Sequence, residues 1–402
     1  MGAAVSRTRR FYPSGRFARG AFGCNGPKKG RGDARTRPAR ALGVILAVLA
    51  LAPTPVSAES ELLGPLRIRD MTPFNLLRLD MLPAHAVAAA PGTWAIEAHL
   101  SYTNTFVMSD NVATYLEGRG DRGPLTLDDV DAILSLGEDA YFVDGEFGLL
   151  DLSFHYAVTH RASVYFTIPV YDFAGGLFDG AIESFHDTFG FDAAGRDLVA
   201  RNRFQAILSL DGSPSFYLEP PVSWGVGDPV LGMRHAWALG GSRWGLVLDG
   251  AAKLALRGAR PLLSTGTNDF GVQGSLQGRF SRQAVYFSAS LVRTDGEVLG
   301  VHLENRVVPT LTAAYEIGVT ERMNLILQLY ASESKVRDTP IEEIKANKYQ
   351  ASLGVRSRHG RLIYGFAVTE NLWHYQNTPD LGVSVILGWV QPRGGVGERT
   401  AR

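Results

Sequence analysis

The sequence predicts an all-β protein, an antiparallel transmembrane β-barrel of twelve strands with an N-terminal plug-like segment. Three observations predict it. Segment after segment alternates apolar and polar residues with period two, tight turns alternate with long connections, and tryptophans gather at one end of the expected strands. Only helices and closed barrels satisfy their backbone inside lipid, and nothing beyond residue 58 approaches the roughly 20 apolar residues of a spanning helix.

Each part follows in chain order. Residues 1–40 carry eleven Lys or Arg against the single acid Asp33, and the apolar run Ala41–Ala52 and the small residues Val56-Ser57-Ala58 come next. This is the pattern of a secretory signal peptide, residues 1–58, with cleavage expected after Ala58. The remaining 344 residues hold 29 basic and 39 acidic side chains, a balance that argues against a nucleic-acid partner. Cys24, the sole cysteine, leaves with the leader. Its loss excludes a disulfide framework, a thiol nucleophile, a thiolate metal site and a lipid-anchored cysteine. Residues 59–91 are apolar at Leu76, Leu77, Leu79, Met81 and Leu82 but lack a regular period. They form a separate periplasmic or plug segment ahead of the barrel.

The barrel is expected over 92–390. In Trp94–Phe106 the even positions Trp94, Ile96, Ala98, Leu100, Tyr102 and Phe106 are apolar, broken only by Asn104, and the odd ones include Glu97, His99, Ser101 and Thr103. Apolar on one face and polar on the other is the signature of a half-buried strand. The rhythm returns in Trp244–Leu256, Phe270–Phe280, Pro309–Val319, Tyr349–Val355, Leu362–Val368 and Leu381–Trp389. Strands are expected near 93–107, 148–158, 162–171, 228–239, 243–256, 269–280, 284–293, 307–319, 323–331, 348–357, 361–370 and 381–390. Pieces 203–210 and 215–219 form a hairpin within one long loop, or cross the membrane to make fourteen strands. The tail 391–402 is polar.

A soluble sandwich also alternates, so the connections decide. Tight turns are expected around Thr159-His160-Arg161, Gly240-Gly241-Ser242, Ser281-Arg282-Gln283, Thr320-Glu321-Arg322 and Arg358-His359-Gly360, with loops of roughly ten or more residues between the pairs. Short turns at one end and long loops at the other is the outer-membrane pattern. Trp94, Trp237, Trp244 and Trp389 then share the short-turn level, as an interfacial aromatic girdle requires. Trp224 and Trp373 fall in outer loops.

Parity places Glu97, His99, Asp151, His155, Arg234, Asp249, Lys253, Arg279, Glu316 and Arg356 on the lumen face. Charges of both signs are costly toward lipid and suit a watery or plugged interior. They line a path or pair across the barrel. Within the loops, 177–189 has helical spacing, and Thr126 caps a second helix over 126–136. The acids Asp128, Asp129, Asp131, Glu138 and Asp139 near it are a weak calcium candidate; otherwise no metal or cofactor is expected. The usual catalytic signatures are absent, and His99-x-Ser101 is the single enzymatic candidate, for an outer-membrane hydrolase.

The run Gly64-Pro-Leu-Arg-Ile-Arg-Asp-Met-Thr-Pro73-Phe-Asn-Leu, the loop Gly175–His186, the run Ser264–Asp269 and the ending Asn377-Thr-Pro-Asp380-Leu-Gly resemble a bacterial domain-of-unknown-function family of outer-membrane barrels. More distantly, the chain is similar to the fatty-acid and aromatic-hydrocarbon transporters of the outer membrane, in which an N-terminal segment plugs the barrel. That likeness implies a hatch formed by 59–91, beside the alternative of an extension packed beneath the barrel. The last strand looks like the signal read by the barrel-insertion machinery: Asp380, Gly382, Val385 and Leu387 match polar-x-Gly-x-x-apolar-x-apolar. It departs from that signal in continuing past Trp389 into a polar tail. The expected function is a passive channel or transporter in the cell outer membrane for small or partly hydrophobic solutes, with outer-membrane lipid and the insertion machinery as partners. The competing expectation is a closed structural or surface-contact barrel.

Overall fold

The structure, a computed structural model, describes residues 61–391 except 86–89, 138, 177, 190–194, 211, 240–242, 338 and 374–380. The leader 1–58, Glu138, Asp380 and nearly all of the tail lie outside the described residues.

Fifteen strands form one antiparallel sheet: β1 (Trp94–Met108), β2 (Ala140–Ala157), β3 (Ala162–Ala174), β4 (Gln205–Leu210), β5 (Ser213–Tyr217), β6 (Trp224–Val226), β7 (Val230–Leu239), β8 (Trp244–Lys253), β9 (Asp269–Phe280), β10 (Gln283–Val298), β11 (Val301–Gly318), β12 (Met323–Ser332), β13 (Lys348–His359), β14 (Leu362–Trp373) and β15 (Leu381–Val390). Twelve of them close a ring, in the order β1-β2-β3-β7-β8-β9-β10-β11-β12-β13-β14-β15. The ring is sealed by β1 on β15 from Ala95↔Val390 to Asn104↔Leu381. Closure pairs each strand of the ring on both sides, which is the condition for placing a sheet in lipid. The β4–β5 hairpin is not part of the ring. It pairs with Ala140–Asp144 of β2, beyond the point where β3 stops at Glu146↔Ala174, and raises the wall at the long-loop end. The fourteen-strand alternative therefore fails.

Side chains sort by parity. The outward rows carry exposed apolar residues such as Leu100, Phe154, Met233, Val272, Phe287, Leu311 and Leu387. Inward rows carry buried polar ones, including Ser101, Gln273, Ser288, Thr312, Gln328, Ser352 and Ser384. This is the reverse of a soluble core and the expected section of a membrane barrel. No helix among the described residues is long and apolar enough to cross a membrane.

Several expected boundaries need correction. β2 begins at Ala140 rather than 148, and β10 and β11 run on to Val298 and from Val301. The long loop expected between 293 and 307 is instead a hairpin closed by Leu299-Gly300, with φ of 50° and 78°. Positive φ at both turn residues is what a right-twisted two-residue hairpin needs. A bulge at Thr294/Gly296 interrupts the register there, and Asp295, Glu297, His302 and Glu304 obscure the alternation. Trp224 begins β6 and Trp373 ends β14, so neither lies in a loop.

Beyond the long-loop end, α1 (Asp110–Arg119) and α2 (Leu127–Leu134) bury Val112, Leu116, Val130 and Ile133 against Phe106, Phe142 and Ile207. The second starts on a capping box, with the Thr126 hydroxyl accepting from the Asp129 N–H and the Asp129 carboxylate accepting from the Thr126 N–H at 2.7 Å. α3 (Asp179–Phe189) occupies the other helical stretch, and α4 (Glu342–Lys345) is a single turn in the β12–β13 connection. The side chains of Phe185, Asp187 and Phe189 lie outside those described.

Candidate functional site in the barrel lumen

Residues 61–85 run inside the ring of strands. Pro65, Pro73 and Pro83 withhold N–H donors and fix φ, so no helix or ladder strand forms there. The segment climbs from Glu61, turns through Met71–Arg78, and returns to His85. The turn is held by its own bonds, Leu76 N–H to the Thr72 carbonyl at 2.8 Å and Arg78 N–H to the Asn75 carbonyl at 3.1 Å. Asp70 organises it from below by accepting from the Thr72 N–H at 3.0 Å and hydroxyl at 2.7 Å. At the foot, Gly64 has φ of 90° and faces the His85 ring so closely that a side chain there would overlap it.

Polar side chains of the wall hold this segment at three levels. Near the short-turn end, Glu316 accepts from the N–H groups of Leu63 at 2.7 Å and Gly64 at 3.1 Å, and Arg356 donates to the Leu63 carbonyl at 2.8 Å. In the middle, Arg67 pairs with Glu97 at 3.0 Å and touches His155 at 3.2 Å, and Arg69 pairs with Asp151 at 3.1 Å. Toward the long-loop end, Lys253 donates to the Leu77 carbonyl at 2.9 Å and pairs with Asp269 at 3.0 Å. Asp269 in turn accepts the Leu79 N–H at 2.8 Å. Arg78, fully buried, donates to the Tyr330 hydroxyl at 2.8 Å, and Lys348 donates to Thr72 beside Asp70.

Above this polar section the tip becomes apolar. Met71, Phe74, Leu76 and Leu77 pack with Tyr141, Phe147, Tyr171, Phe204, Leu262, Leu299 and Ile341. Each such side chain contributes roughly 1.5–3 kcal/mol when fully buried, so segment, wall and loops share one apolar cluster at the long-loop end. On the β1–β15–β14–β13 side the fit is looser. A gap of about 10 Å³ lies between Ile68, Arg69 and Met71 and the wall residues Ser101, Thr103, Thr369, Gly382 and Ser384. That is room for roughly one water.

All ten residues assigned to the lumen by parity lie on inward rows. Glu97, Asp151, His155, Lys253, Glu316 and Arg356 meet the segment directly. Arg234 instead pairs across the wall with Asp249, which also accepts the Tyr165 hydroxyl at 3.0 Å. Arg279 is half-buried on β9. His99 and Ser101 are both buried and face inward. Their side chains stand 3.5 Å apart, and the Ser101 hydroxyl meets the Ser384 hydroxyl at 3.0 Å. Sequence reasoning missed Asp269, Lys348, Asn324 and Tyr330. The first two open their strands, where no preceding alternation fixes a face. It also missed Arg67, Arg69, Asp70 and Arg78, whose signal was charge within an otherwise apolar stretch.

On the outside, the rings of Trp94 and Trp389 meet at a tilt with centroids 4.7 Å apart, Trp244 meets Phe280 edge-on at 5.9 Å, and Trp237 lies 4.2 Å from His235. All four occupy outward rows at the short-turn end. Val385 and Leu387 are exposed on β15, and Gly382 packs inward against Thr103 and Thr369. In the outer loops Asp129 is engaged by Thr126, Tyr115 and Arg119. No group of three His, Cys, Asp or Glu is placed to hold a metal among the described residues.

Residues 126–389, more than half of the chain, match the family model described as protein of unknown function (DUF3187), and the chain belongs to that family. No curated protein matches. Among solved structures, the chain is similar to the COG4313 outer membrane channel from Pseudomonas putida F1, with a TM-score of 0.48 and 12% identity over 78% of this chain and 100% of that one. It is similar to the toluene transporter TodX of P. putida at a TM-score of 0.34 and 8% identity, covering 76% and 91% of the two chains. For the translocator domain of the autotransporter NalP from Neisseria meningitidis the values are 0.35 and 9%, over 75% and 89%.

Proposed function

We propose that the chain is a passive channel of the outer membrane for small or partly hydrophobic solutes, and that residues 61–85 are its plug. The observation that carries this reading is the twelve-stranded ring whose apolar rows face out while a separate segment of the chain fills its polar interior. A purely structural barrel has no need of a removable filling, since its inward side chains can pair across the wall as Arg234 and Asp249 do. The sequence contributes the route: the leader 1–58 exports the chain, and the girdle at the short-turn end sets that end at the periplasmic interface.

Solute class follows from what lines the lumen. The tip and the long-loop mouth are apolar, so a solute entering there exchanges water for Phe74, Leu77 and their neighbours. The polar seam beside Ser101, Thr103 and Ser384 is the natural onward path, because the segment makes its ion pairs with β1, β2 and β13 and none with β14 or β15 among the described residues. Hydrolysis at His99 and Ser101 is not proposed, because both are buried and the Ser101 hydroxyl is engaged by Ser384.

The test is single-channel conductance of the refolded protein in planar bilayers, with and without residues 59–91. Rare, small steps from the full chain and large discrete steps from the truncated one are the expected result. Silence from both, in protein shown to be folded, would overturn the channel reading and favour the closed structural barrel. The buried ion pairs of Arg67, Arg69 and Asp70 with the wall are the observation on that side.

A further inference from the structure

The five short turns share a feature that the channel reading does not use. Each places an arginine immediately before the strand that follows: Arg161 before β3, Arg243 before β8, Arg282 before β10, Arg322 before β12 and Arg361 before β14. The repetition is structural as well. The Arg161 carbonyl accepts from Ala236 N–H at 2.8 Å, Arg243 from Arg279 at 2.8 Å, and Arg282 from Gly318 at 2.8 Å. Arg322 accepts from Arg358 at 3.0 Å and Arg361 from Val390 at 2.9 Å. In each case the bond extends a ladder by one residue, so all five arginines stand at one level of the barrel.

Parity fixes the face. Arg161 continues the row of Tyr165 and Thr167, Arg243 that of Val247 and Asp249, Arg282 that of Tyr286, Arg322 that of Asn324, and Arg361 that of Ala367. Every one of these rows points into the lumen. The positions therefore rim the short-turn mouth, where the Arg322 guanidinium turns to the His359 imidazole at 3.0 Å and Arg358 pairs with Glu61 at the entry of the segment. Arg161, Arg243, Arg322 and Arg361 are exposed, and Arg282 is half-buried.

Basic residues outnumber acids at that level. The five turns contain a single carboxylate, Glu321. Immediately inside, Arg67 of the segment and Arg356 of the wall share Glu97, and Arg234 and Arg279 stand on inward rows toward the same end. The carboxylates there already serve these groups and the segment: Glu97 pairs with Arg67, Asp249 with Arg234, and Glu316 holds the backbone of Leu63 and Gly64.

We propose that this rim is an anion-binding vestibule, taking solutes that carry carboxylate, sulfonate or phosphate groups at the short-turn mouth. A planar guanidinium presents forked donors that match such groups. A ring of them at a mouth with low-dielectric walls concentrates the field and selects anions over cations. Passage of these anions rests on the channel reading, whereas their binding at the rim does not.

Two measurements separate the claims. The first is fluorescence anisotropy of a soluble pyrene trisulfonate dye with the full chain in neutral detergent micelles at low and high salt. Wild type binds the dye at low salt and releases it at high salt, because exposed charges are screened. The variant R161Q/R243Q/R282Q/R322Q/R361Q loses about tenfold in affinity, roughly 1.4 kcal/mol, and the matching five-lysine variant keeps most of it. The exposed subset R161Q/R243Q/R361Q gives a partial loss should the fivefold variant fold poorly. Glutamine retains every backbone carbonyl that closes a ladder. Equal binding by wild type and the glutamine variants overturns the proposal, as does binding indifferent to salt. Displacement of the dye by phosphatidylglycerol doped into the micelle would move the site to the lipid side and also overturn it.

The second measurement is the reversal potential across a bilayer under a potassium chloride gradient. A shift toward the chloride potential in wild type, lost in the glutamine variant, is expected. Conductance without anion preference sinks the vestibule and spares the channel. Silence sinks the channel, and the dye still decides the vestibule.

Discussion

The two faces of the barrel wall obey different rules. Outward rows repeat one requirement, an apolar side chain against lipid, and Leu100, Val272, Phe287 and Leu311 meet it interchangeably. Inward rows repeat hydroxyl pairs such as Ser101 with Ser384 and Ser275 with Ser288, but set single charges among them. Glu316, Asp151, Lys253, Asp269 and Arg356 each hold one specific group of residues 61–85. The difference teaches where specificity lives in this molecule. The outer face needs only the right chemistry on average, whereas the inner face needs each residue beside its own partner.

The largest expected break in that comparison is on the inside. Replacing Asp70 by alanine leaves Lys348 and Arg78 buried without their shared carboxylate. Losing one partner of a buried pair costs about 3–5 kcal/mol, so urea unfolding in lipid should show a loss of that order. Asp70→Ala combined with Lys348→Met should recover part of it. Full additivity of the two changes would show that the pair is not coupled.

On the outside a single apolar change should be tolerated, but a charge should not. Leu311→Arg, in the middle of the outward band of β11, is expected to cost about 2–4 kcal/mol by the same measurement. A negligible cost would mean that this face does not meet lipid. Smaller again is the loss of the β1–β15 aromatic contact. Trp94→Ala should remove about 0.5–1.5 kcal/mol of pair energy with Trp389. It should also remove part of the blue-shifted, lipid-sensitive tryptophan fluorescence. An unchanged spectrum would place this residue away from the interface.

The smallest effect belongs to neither face. Thr126→Ala removes the cap of α2 and should cost about 1 kcal/mol locally, read by hydrogen exchange of that helix alone. Burial disfavours charge on Asp129, yet hydrogen bonds from Thr126 and Tyr115 and the nearby Arg119 guanidinium outweigh it and hold the carboxyl below its ordinary value. A depressed carboxyl stabilises above its ordinary range and loses that contribution as pH falls through its folded value. Protection of α2 should therefore fade on acidification before that of the barrel strands.

The same contrast explains what could be read in advance. Period two assigns the outward rows because their requirement is local: Trp94, Ile96, Ala98 and Leu100 announce a strand without reference to anything else. Parity then reaches inward residues in mid-strand, such as Asp151 and Lys253, but not Asp269 and Lys348 at strand starts. The hairpin through Leu299-Gly300 was hidden because beyond the membrane level both faces meet water or loops, and Asp295, Glu297 and His302 break the apolar signal. Least legible was the path of residues 61–85. Its conformation comes from proline, from one turn around Asp70 and from partners over 250 positions away in sequence, such as Leu63 with Glu316. Nothing local encodes such contacts.

The claim on which the rest depends is that this segment lies within the lumen and closes it. Gly271 on β9 faces Met81 so closely that a side-chain carbon at 271 would stand 3.1 Å from the Met81 Cγ. That matches the approach of a carbon to the far sulfur across a disulfide. The decisive measurement is single-channel recording of Met81→Cys/Gly271→Cys in a Cys24→Ser background, oxidised and then reduced. The account predicts that the pair oxidises in the inserted protein, that the locked form stays silent, and that reduction restores the opening steps of the wild type. Failure of the pair to join, or a locked barrel that conducts as freely as the reduced one, would contradict it.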